Sequence, residues 1–239
     1  MATAGRLFLF VAILIVSFSA CKTEKPVEQK KPAPVVVVKP KHALLTEEDR
    51  RTLGFPPDII SQVELAAGAE AEPFFVTLVF KTENLKGDTE IESKKLAGFS
   101  VHAKNSDDMM DSFRASFRAR GYLIFKSQRG YGSLPDIVTV IKGSNSYEIL
   151  KIQGTEAPNY RIDTKAIIAW LKARQLDGSF VVSGAGPDWL EARFIKPPAN
   201  LLSFARKIAA FAPDALSHGT AEELVERMER NNGFYLVWD

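Results

Sequence analysis

The stretch SFVVSGAGPDWLEARFI, residues 179–195, contains two apolar segments on either side of a turn. Segments rich in β-branched and aromatic residues predict strands, here SFVVSG and DWLEARFI, joined at AGP. The glycines at 184 and 186 follow a strand, as in dinucleotide-binding loops, but that fingerprint needs a helix directly after it. Pro187 and Asp188 open another strand pattern instead. We therefore predict a strand–turn–strand unit without a nucleotide site.

Helix signals lie on both sides of this unit. Before it, Asp163 is placed as the N-cap of a helix that runs to about residue 175. After it, a helix covers about residues 200–212 and ends at Pro213, which cannot continue a helix. Thr220 and Glu223 form a capping box that opens the last helix. The chain then closes with FYLVW, which predicts a final strand.

The remaining C-terminal pattern sets the predicted fold class. SYEILKIQ, residues 146–153, is interpreted as a strand, so the succession from Tyr147 is β-α-β-β-α-α-β. This is a ferredoxin-like order with one extra helix. The segment from Phe99 gives β-α-β-β around a helix from Asn105 or Ser106 to Arg120. We expect an α+β protein with an antiparallel-rich sheet and helices packed on one face.

The N-terminal part of the folded chain, residues 44–120, is also predicted to be α+β. Thr46 and Asp49 make a capping box for a helix that ends near Gly54. Residues 56–67 predict a second short helix, with a strand as the alternative. Two strands, at 74–81 and 97–104, flank a polar loop at 83–95. We place the boundary to the C-terminal domain, residues 121–239, after the helix that ends at Arg120.

Residues 1–20 have the pattern of a secretory signal: one positive charge, a short apolar run and small residues before Cys21. FSAC resembles the lipobox of bacterial lipoproteins, with Phe18 where Leu is usual. The resemblance implies that Cys21 receives a diacylglyceryl group and becomes the mature N-terminus, which carries fatty acids such as palmitate. Cys21 is the only cysteine, so none is used for disulfides. The alternatives are an ordinary signal peptide or an uncleaved anchor, with a chance cysteine.

The predicted location of the protein is the bacterial cell envelope. Lys22 follows the cysteine, where Asp would retain a lipoprotein in the inner membrane of enteric bacteria. In a host with two membranes, this favours the outer membrane, facing the periplasm. Residues 21–43 form a tether rich in Lys and Pro, which could span roughly 70 Å when extended. Its lysines could also lie on anionic lipid headgroups.

Charge and motif spacing exclude several functions. The net charge of the whole chain is +2 because the tether is strongly positive, whereas the folded part is acidic. An acidic folded part argues against a nucleic-acid-binding protein. His42, His102 and His218 have no metal-ligand spacing, so we expect no metal and no cofactor. No G-x-S-x-G elbow is present. Asp188 and Asp214 remain as acid–base candidates together with Asp239, although turns and caps commonly use such residues.

The C-terminal elements YEILKIQGTEAPNY, GAGPDWLEARF, FAPD, GTAEELVERM and FYLVWD resemble the bacterial family named domain of unknown function 4253. The resemblance covers about residues 121–239 and departs from the family at Ala212, where Cys is common, and at Val237, where Trp is common. It implies no activity. The residues that match its motif elements are Thr155, Asn159, Tyr160, Asp188, Trp189, Asp214, Trp238 and Asp239. Five of them, Thr155, Asn159, Tyr160, Trp189 and Trp238, are our candidates for binding.

These observations favour a lipid-anchored envelope protein with a globular domain that binds an unknown protein or small molecule and has no catalytic role. One alternative is a hydrolase of an envelope polymer that uses paired carboxylates. Another is an immunity or inhibitor protein. The final strand should place Phe234, Leu236 and Trp238 on one face, with Tyr235 and Val237 on the other. Arg161, Arg193 and Lys196 are candidate cations for the carboxylates of the chain terminus.

Overall fold

The computed structural model describes residues 43–84 and 87–239, which fall in one compact unit. Its helices are α1 (Glu47–Leu53), α2 (Pro57–Ala67), α3 (Ser106–Ala119), α4 (Tyr147–Gln153), α5 (Thr164–Arg174), α6 (Leu201–Phe211) and α7 (Ala221–Asn231). Its strands are β1 (Glu72–Asn84), β2 (Gly87–Ala103), β3 (Tyr122–Gln128), β4 (Asp136–Lys142), β5 (Ser179–Ala185), β6 (Trp189–Lys196) and β7 (Gly233–Val237).

The described strands form one sheet with the order β1-β2-β4-β3-β5-β6-β7. Neighbouring strands are antiparallel except β3 and β5, which are parallel and meet at Lys126 and Gly184. This confirms the α+β class with an antiparallel-rich sheet. It also makes β1 and β7 the two edge strands.

Helices cover both faces of the sheet, which differs from the expectation of helices on one face. Leu123 and Phe125 of β3 pack into a core shared with α4 to α7. Ile124, between them, packs into a second core shared with α1 to α3. Successive side chains of a strand point to opposite faces, so an apolar run through a central strand requires cover on both.

The strand predicted at residues 146–153 is wrong, because this segment forms helix α4. Ile149 and Leu150 are buried, and Gly154 ends the helix in the left-handed conformation, with φ of 60°. A short apolar run cannot be assigned to helix or strand from its periodicity alone. The succession from Tyr147 therefore begins with a helix, and β5, β6 and β7 lie side by side in chain order.

The polar loop predicted at residues 83–95 is also wrong. The backbone of β2 begins at Gly87 and pairs with β1 in an antiparallel hairpin, from Asn84 opposite Gly87 to Glu72 opposite Ser100. The polar composition of this segment predicts a loop, but backbone hydrogen bonds to β1 hold it as a strand.

The predicted helix starts are confirmed. Thr46 with Asp49 and Thr220 with Glu223 form capping boxes, and the side chain of Asp163 accepts a hydrogen bond from the backbone N–H of Ala166. The predicted domain boundary at residue 121 falls between α3 and β3, within one continuous sheet. The division at that point stays a prediction.

The predicted signal peptide, Cys21 and the tether lie outside the described residues, apart from Ala43 at the end of the tether. Among the residues that are described, no helix has both the length and the apolar character needed to cross a membrane.

Candidate functional site

Several residues of the family motif elements meet where β7 ends. We call Tyr160, Asp188, Asp214, Trp238 and Asp239 the Asp214 cluster. Asp214 Oδ2 accepts hydrogen bonds from the Tyr160 hydroxyl at 2.8 Å and from the backbone N–H of Asp239 at 2.9 Å. The backbone N–H of Trp238 donates to the carbonyl oxygen of Asp188 at 3.0 Å. The cluster therefore fixes the last two residues of the chain to two separate loops.

Trp238 anchors this cluster in the core. Its side chain is buried, its ring meets the edge of Phe211 at a centroid distance of 5.8 Å, and its Nε1–H donates to the Phe211 carbonyl at 3.3 Å. Phe234 and Leu236 are buried with it, whereas Tyr235 and Val237 are half-buried. The predicted faces of the last strand are confirmed.

The other binding candidates surround the turn between β5 and β6. Thr155 is buried and its hydroxyl donates to the Gly186 carbonyl at 2.8 Å. Gly186 packs so closely on Trp189 that any side chain there would collide with the indole ring. Asn159 is exposed in the short 3₁₀ turn Pro158–Tyr160. These contacts hold the loops together, and a role of these residues in binding stays a prediction.

The protonation of Asp214 fits a hydrogen-bond acceptor. The N–H of Asp239, and then the Tyr160 hydroxyl, hold the pKa of Asp214 below its ordinary value. The hydrogen bond that the Tyr160 hydroxyl donates to Asp214 raises the pKa of Tyr160. A pair of catalytic carboxyls usually needs one member that keeps its proton near neutral pH. Ionised Asp214 instead serves as a fixed acceptor for the chain terminus.

A second site begins on the sheet face opposite the core of α4 to α7 and continues round the β7 edge to residues of that core. Leu190, Ala192 and Phe194 of β6 point into that core, so Glu191 and Arg193 point to the other face. There a cavity of about 450 Å³ extends from α3 to the edge of β7 and α7. We call it the charged pocket, after its charged and phenolic lining residues: Asp107, Lys126, Arg129, Glu191, Arg193, Arg227 and Tyr235.

Lys126 lies at the base of the charged pocket with only 7% of its side chain exposed. Its Nζ is 3.0 Å from Asp136 Oδ2, 3.3 Å from Asp107 Oδ1 and 3.5 Å from Glu191 Oε2. Burial alone would lower the pKa of Lys126, but these three carboxylates outweigh burial and raise it. Lys126 is therefore a permanent ammonium group, and it does not provide a base or an amine nucleophile.

Asp136 completes this network from β4. Burial would raise its pKa, but the Ser106 hydroxyl, the N–H of Gly130 and the Lys126 ammonium together lower it. The N–H of Gly130 donates to Asp136 Oδ1 at 2.7 Å. Asp136 therefore remains ionised and ties the loop after β3 to the floor of the pocket.

Two arginines of the pocket are held by neighbouring groups. The Arg129 guanidinium lies over the Tyr235 ring, 4.6 Å from its centroid, and its Nε is 3.5 Å from Glu191. Arg193 pairs with Asp107 at 3.1 Å and also donates to the carbonyl of Asn231. Arg193, which the sequence suggested as a cation for the chain terminus, thus has its partners in the pocket. Burial raises the pKa of Tyr235 despite its contact with Arg129.

Arg227 differs from the other cations. Its Nη2 donates to the carbonyl oxygens of Ala215 at 3.0 Å and Leu216 at 3.4 Å, and within the described part of the chain it forms no ion pair. The pocket lining thus contains four cations, Lys126, Arg129, Arg193 and Arg227, against two carboxylates, and Asp136 at the floor adds a third. Carboxylate and phosphate groups are the anions that guanidinium donors match best.

The sequence reasoning missed the charged pocket, although two signals were present. Lys126 interrupts the apolar run YLIFKSQ, and a buried lysine needs partners. Glu191 and Arg193 alternate with buried residues in β6, which places opposite charges on one face. Their partners come from distant segments, so only the folded chain shows that they meet.

Comparison with known proteins gives a family match over part of the chain and no activity. Residues 137–239 match the model of a family described as a domain of unknown function, DUF4253. This supports the resemblance found in the C-terminal half, with a start at residue 137. Neither the curated proteins nor the solved structures contain a significant match. The described residues hold no group of three His, Cys, Asp or Glu side chains placed to bind a metal.

Proposed function

We propose that this chain is a lipid-anchored protein of the bacterial envelope whose folded part binds an anionic ligand or a protein partner in the charged pocket. The observation that carries the binding role is the cavity of about 450 Å³ in which four cations face two carboxylates of the lining and a third, Asp136, at the floor. A concave site with convergent polar groups is the usual form of a ligand site. The excess of positive charge gives the site its preference.

The anchor rests on the sequence. Residues 1–20 have a signal pattern, FSAC resembles a lipobox, and Cys21 is the only cysteine. The tether of residues 21–43 would let the domain reach away from the membrane. In a host with two membranes, Lys22 after the cysteine favours the outer membrane, with the domain in the periplasm.

Recognition fits the pocket better than catalysis does. Three carboxylates keep the Lys126 ammonium charged, and Asp136 is held ionised. General acid–base catalysis needs a group whose pKa lies near the working pH. Fixed charges and hydrogen-bond donors instead suit a site that orients a ligand.

Metabolic labelling tests the anchor. Cells that express the full chain and are fed a labelled fatty acid should label the wild-type protein and not Cys21→Ser. Lys22→Ser is the matched control and should be labelled like the wild type. Equal labelling of wild type and Cys21→Ser would refute the lipid anchor.

A ligand panel tests the pocket. Short peptides, carboxylates and phosphates are screened by thermal unfolding of the full chain in a mild detergent. A ligand at 100 times its Kd should raise the Tm by about 5 °C or more. The double variant Arg129→Gln/Arg227→Gln should lose this rise. The control Arg51→Gln/Arg206→Gln removes two charges on exposed helix surfaces and should keep it. Equal rises in both variants would place the ligand elsewhere.

A further inference from the structure

The edge strand β7 has backbone groups at the charged pocket that its neighbour β6 does not use. Its one strand neighbour in the described sheet is β6. The N–H of Trp238 donates to Asp188, and at the other end the N–H of Phe194 donates to Asn232. In an antiparallel pair, hydrogen-bonded and non-bonded positions alternate, so every second residue of β7 turns its N–H and C=O towards β6.

The residues in between, Gly233, Tyr235 and Val237, turn their backbone groups away from β6. The next residue of this set, Asp239, donates its N–H to Asp214. Both Gly233, which is buried, and Tyr235, which is half-buried, line the charged pocket. Within the described residues, no hydrogen bond from another element reaches their outward backbone groups. The outward backbone donor of the edge is therefore paired at Asp239, whereas the outward groups at the pocket have no partner among the described residues.

Cations flank the open part of this edge. Arg129 stacks on the Tyr235 ring from one side, and Arg227 of α7 lines the same cavity. Arg129 has Glu191 as a counterion, whereas Arg227 bonds only carbonyl oxygens among the described groups. The pocket thus combines a guanidinium that has no carboxylate partner among the described residues with backbone groups of β7 that β6 does not use.

We infer that the charged pocket receives an extended peptide segment, which adds to β7 as an outer strand and places an acidic side chain against Arg227. Strand addition at an exposed sheet edge uses backbone hydrogen bonds for affinity and side-chain contacts for specificity. A free carboxylate or phosphate would meet the arginines but would leave the outward backbone groups of Tyr235 unpaired. The inference rests on the proposed function and names the class of its ligand.

The first step of the test is selection of a probe. A random heptapeptide display library is panned on the full chain in a mild detergent. We expect enriched peptides to combine β-branched residues with one Asp or Glu. The most enriched peptide is synthesised, together with the version in which its acidic residue is replaced by the matching amide. Titration calorimetry then measures both affinities.

Two substitutions separate the backbone of β7 from its side chains. Tyr235→Pro and Tyr235→Ala both remove the phenol ring, but only proline removes the outward N–H, which β6 does not use. We expect the proline variant to bind the peptide at least about tenfold more weakly than the alanine variant. Equal affinity of the two folded variants would overturn strand addition.

A modified peptide provides the same test without changing the protein. N-methylation of alternate backbone amides blocks one edge of an extended peptide. One of the two methylated versions should lose binding, because only one edge faces β7, and the other should bind like the parent. If both versions bind equally, the peptide is not a strand of this sheet.

Arg227→Gln tests the charged contact. It should weaken the acidic peptide by about fivefold to tenfold and leave the amide version within about twofold. An equal loss for both peptides would exclude the contact between Arg227 and the acidic side chain.

The outcomes separate this inference from the proposed function. If phosphates or simple carboxylates raise the Tm through Arg129 and Arg227 while no peptide depends on β7, strand addition fails and the binding pocket stands. If no ligand of either class depends on these arginines, both fail.

Discussion

The two ends of β7 belong to regions of opposite character. At its end, the Asp214 cluster pairs polar groups with one another: a phenol, a carboxylate and two backbone N–H groups all have partners within the chain. At its start, the charged pocket leaves backbone groups of the edge unpaired and contains more cations than carboxylates. At the first region, residues that match the motif elements bond one another and hold the fold. At the second region, among the described residues, backbone groups have no partner and a guanidinium has no carboxylate partner, so these groups can bind a ligand.

The two regions also contribute to stability through different interactions. The Asp214 cluster is exposed at Tyr160 and Asp239, and its strength comes from the buried ring of Trp238. The charged pocket rests on the buried ammonium of Lys126, whose attraction to three carboxylates must offset its desolvation. Apolar burial therefore dominates one end of the strand, and compensated charge dominates the other.

Deletion of Trp238 and Asp239 should have the largest effect. Loss of a buried tryptophan destabilises a core by about 3–5 kcal/mol, and the lost hydrogen bond to Asp214 adds about 1 kcal/mol. Urea denaturation followed by circular dichroism measures the change. Deletion of Asp239 alone is the control and should remove only the smaller contribution. An unchanged unfolding midpoint of the longer deletion would show that these residues do not hold the fold.

Lys126→Met should have the second-largest effect. Methionine fills a similar volume but leaves Asp136, Glu191 and Asp107 without their shared cation, and breaking a buried ion pair from one side costs about 3 kcal/mol. The same urea experiment detects it. Lys151→Met, on an exposed position of α4, should stay within about 0.5 kcal/mol of the wild type. Equal stability of the two variants would mean that the pocket carboxylates do not depend on Lys126.

The sequence predicted the parts of this comparison that depend on local patterns. Alternation along FYLVW predicted which side chains of β7 are buried, and the cap residues Asp163 and Thr220 predicted the helix starts. It failed where pairing or packing with distant segments decides the outcome. The segment SYEILKIQ became a helix, and polar residues after Gly87 became a strand through pairing with β1.

The difference between local patterns and distant contacts also explains why the sequence predicted residues of the Asp214 cluster and not the charged pocket. Resemblance to a family marked Tyr160, Asp214 and Asp239, and the structure brings these three into contact. The charged pocket combines α3, β3, β6, α7 and β7, and a motif read along the chain does not contain that information. Lys126 in an apolar strand and the alternating charges of β6 were its local signs.

Asp214→Asn should have the smallest effect, and its pH dependence identifies the cause. Asparagine keeps an acceptor oxygen but loses the charge, so we expect a loss of about 1 kcal/mol or less at pH 7. The pKa of Asp214 is lowered by folding. The stabilisation by its ionised form is therefore complete above the unfolded pKa of about 3.9 and is lost as the pH falls through the lower, folded value.

The difference between wild type and Asp214→Asn should consequently be constant between pH 7 and pH 5 and should shrink below pH 4. Denaturation series at several pH values measure it, with Asp108→Asn on the exposed first turn of α3 as the control. Tyr160→Phe removes the hydroxyl that donates to Asp214. In the Tyr160→Phe background, the stability difference caused by Asp214→Asn should therefore be smaller than in the wild type. A difference that persists unchanged to pH 3 would mean that the charge of Asp214 does not hold the chain terminus, and that packing of Trp238 alone does.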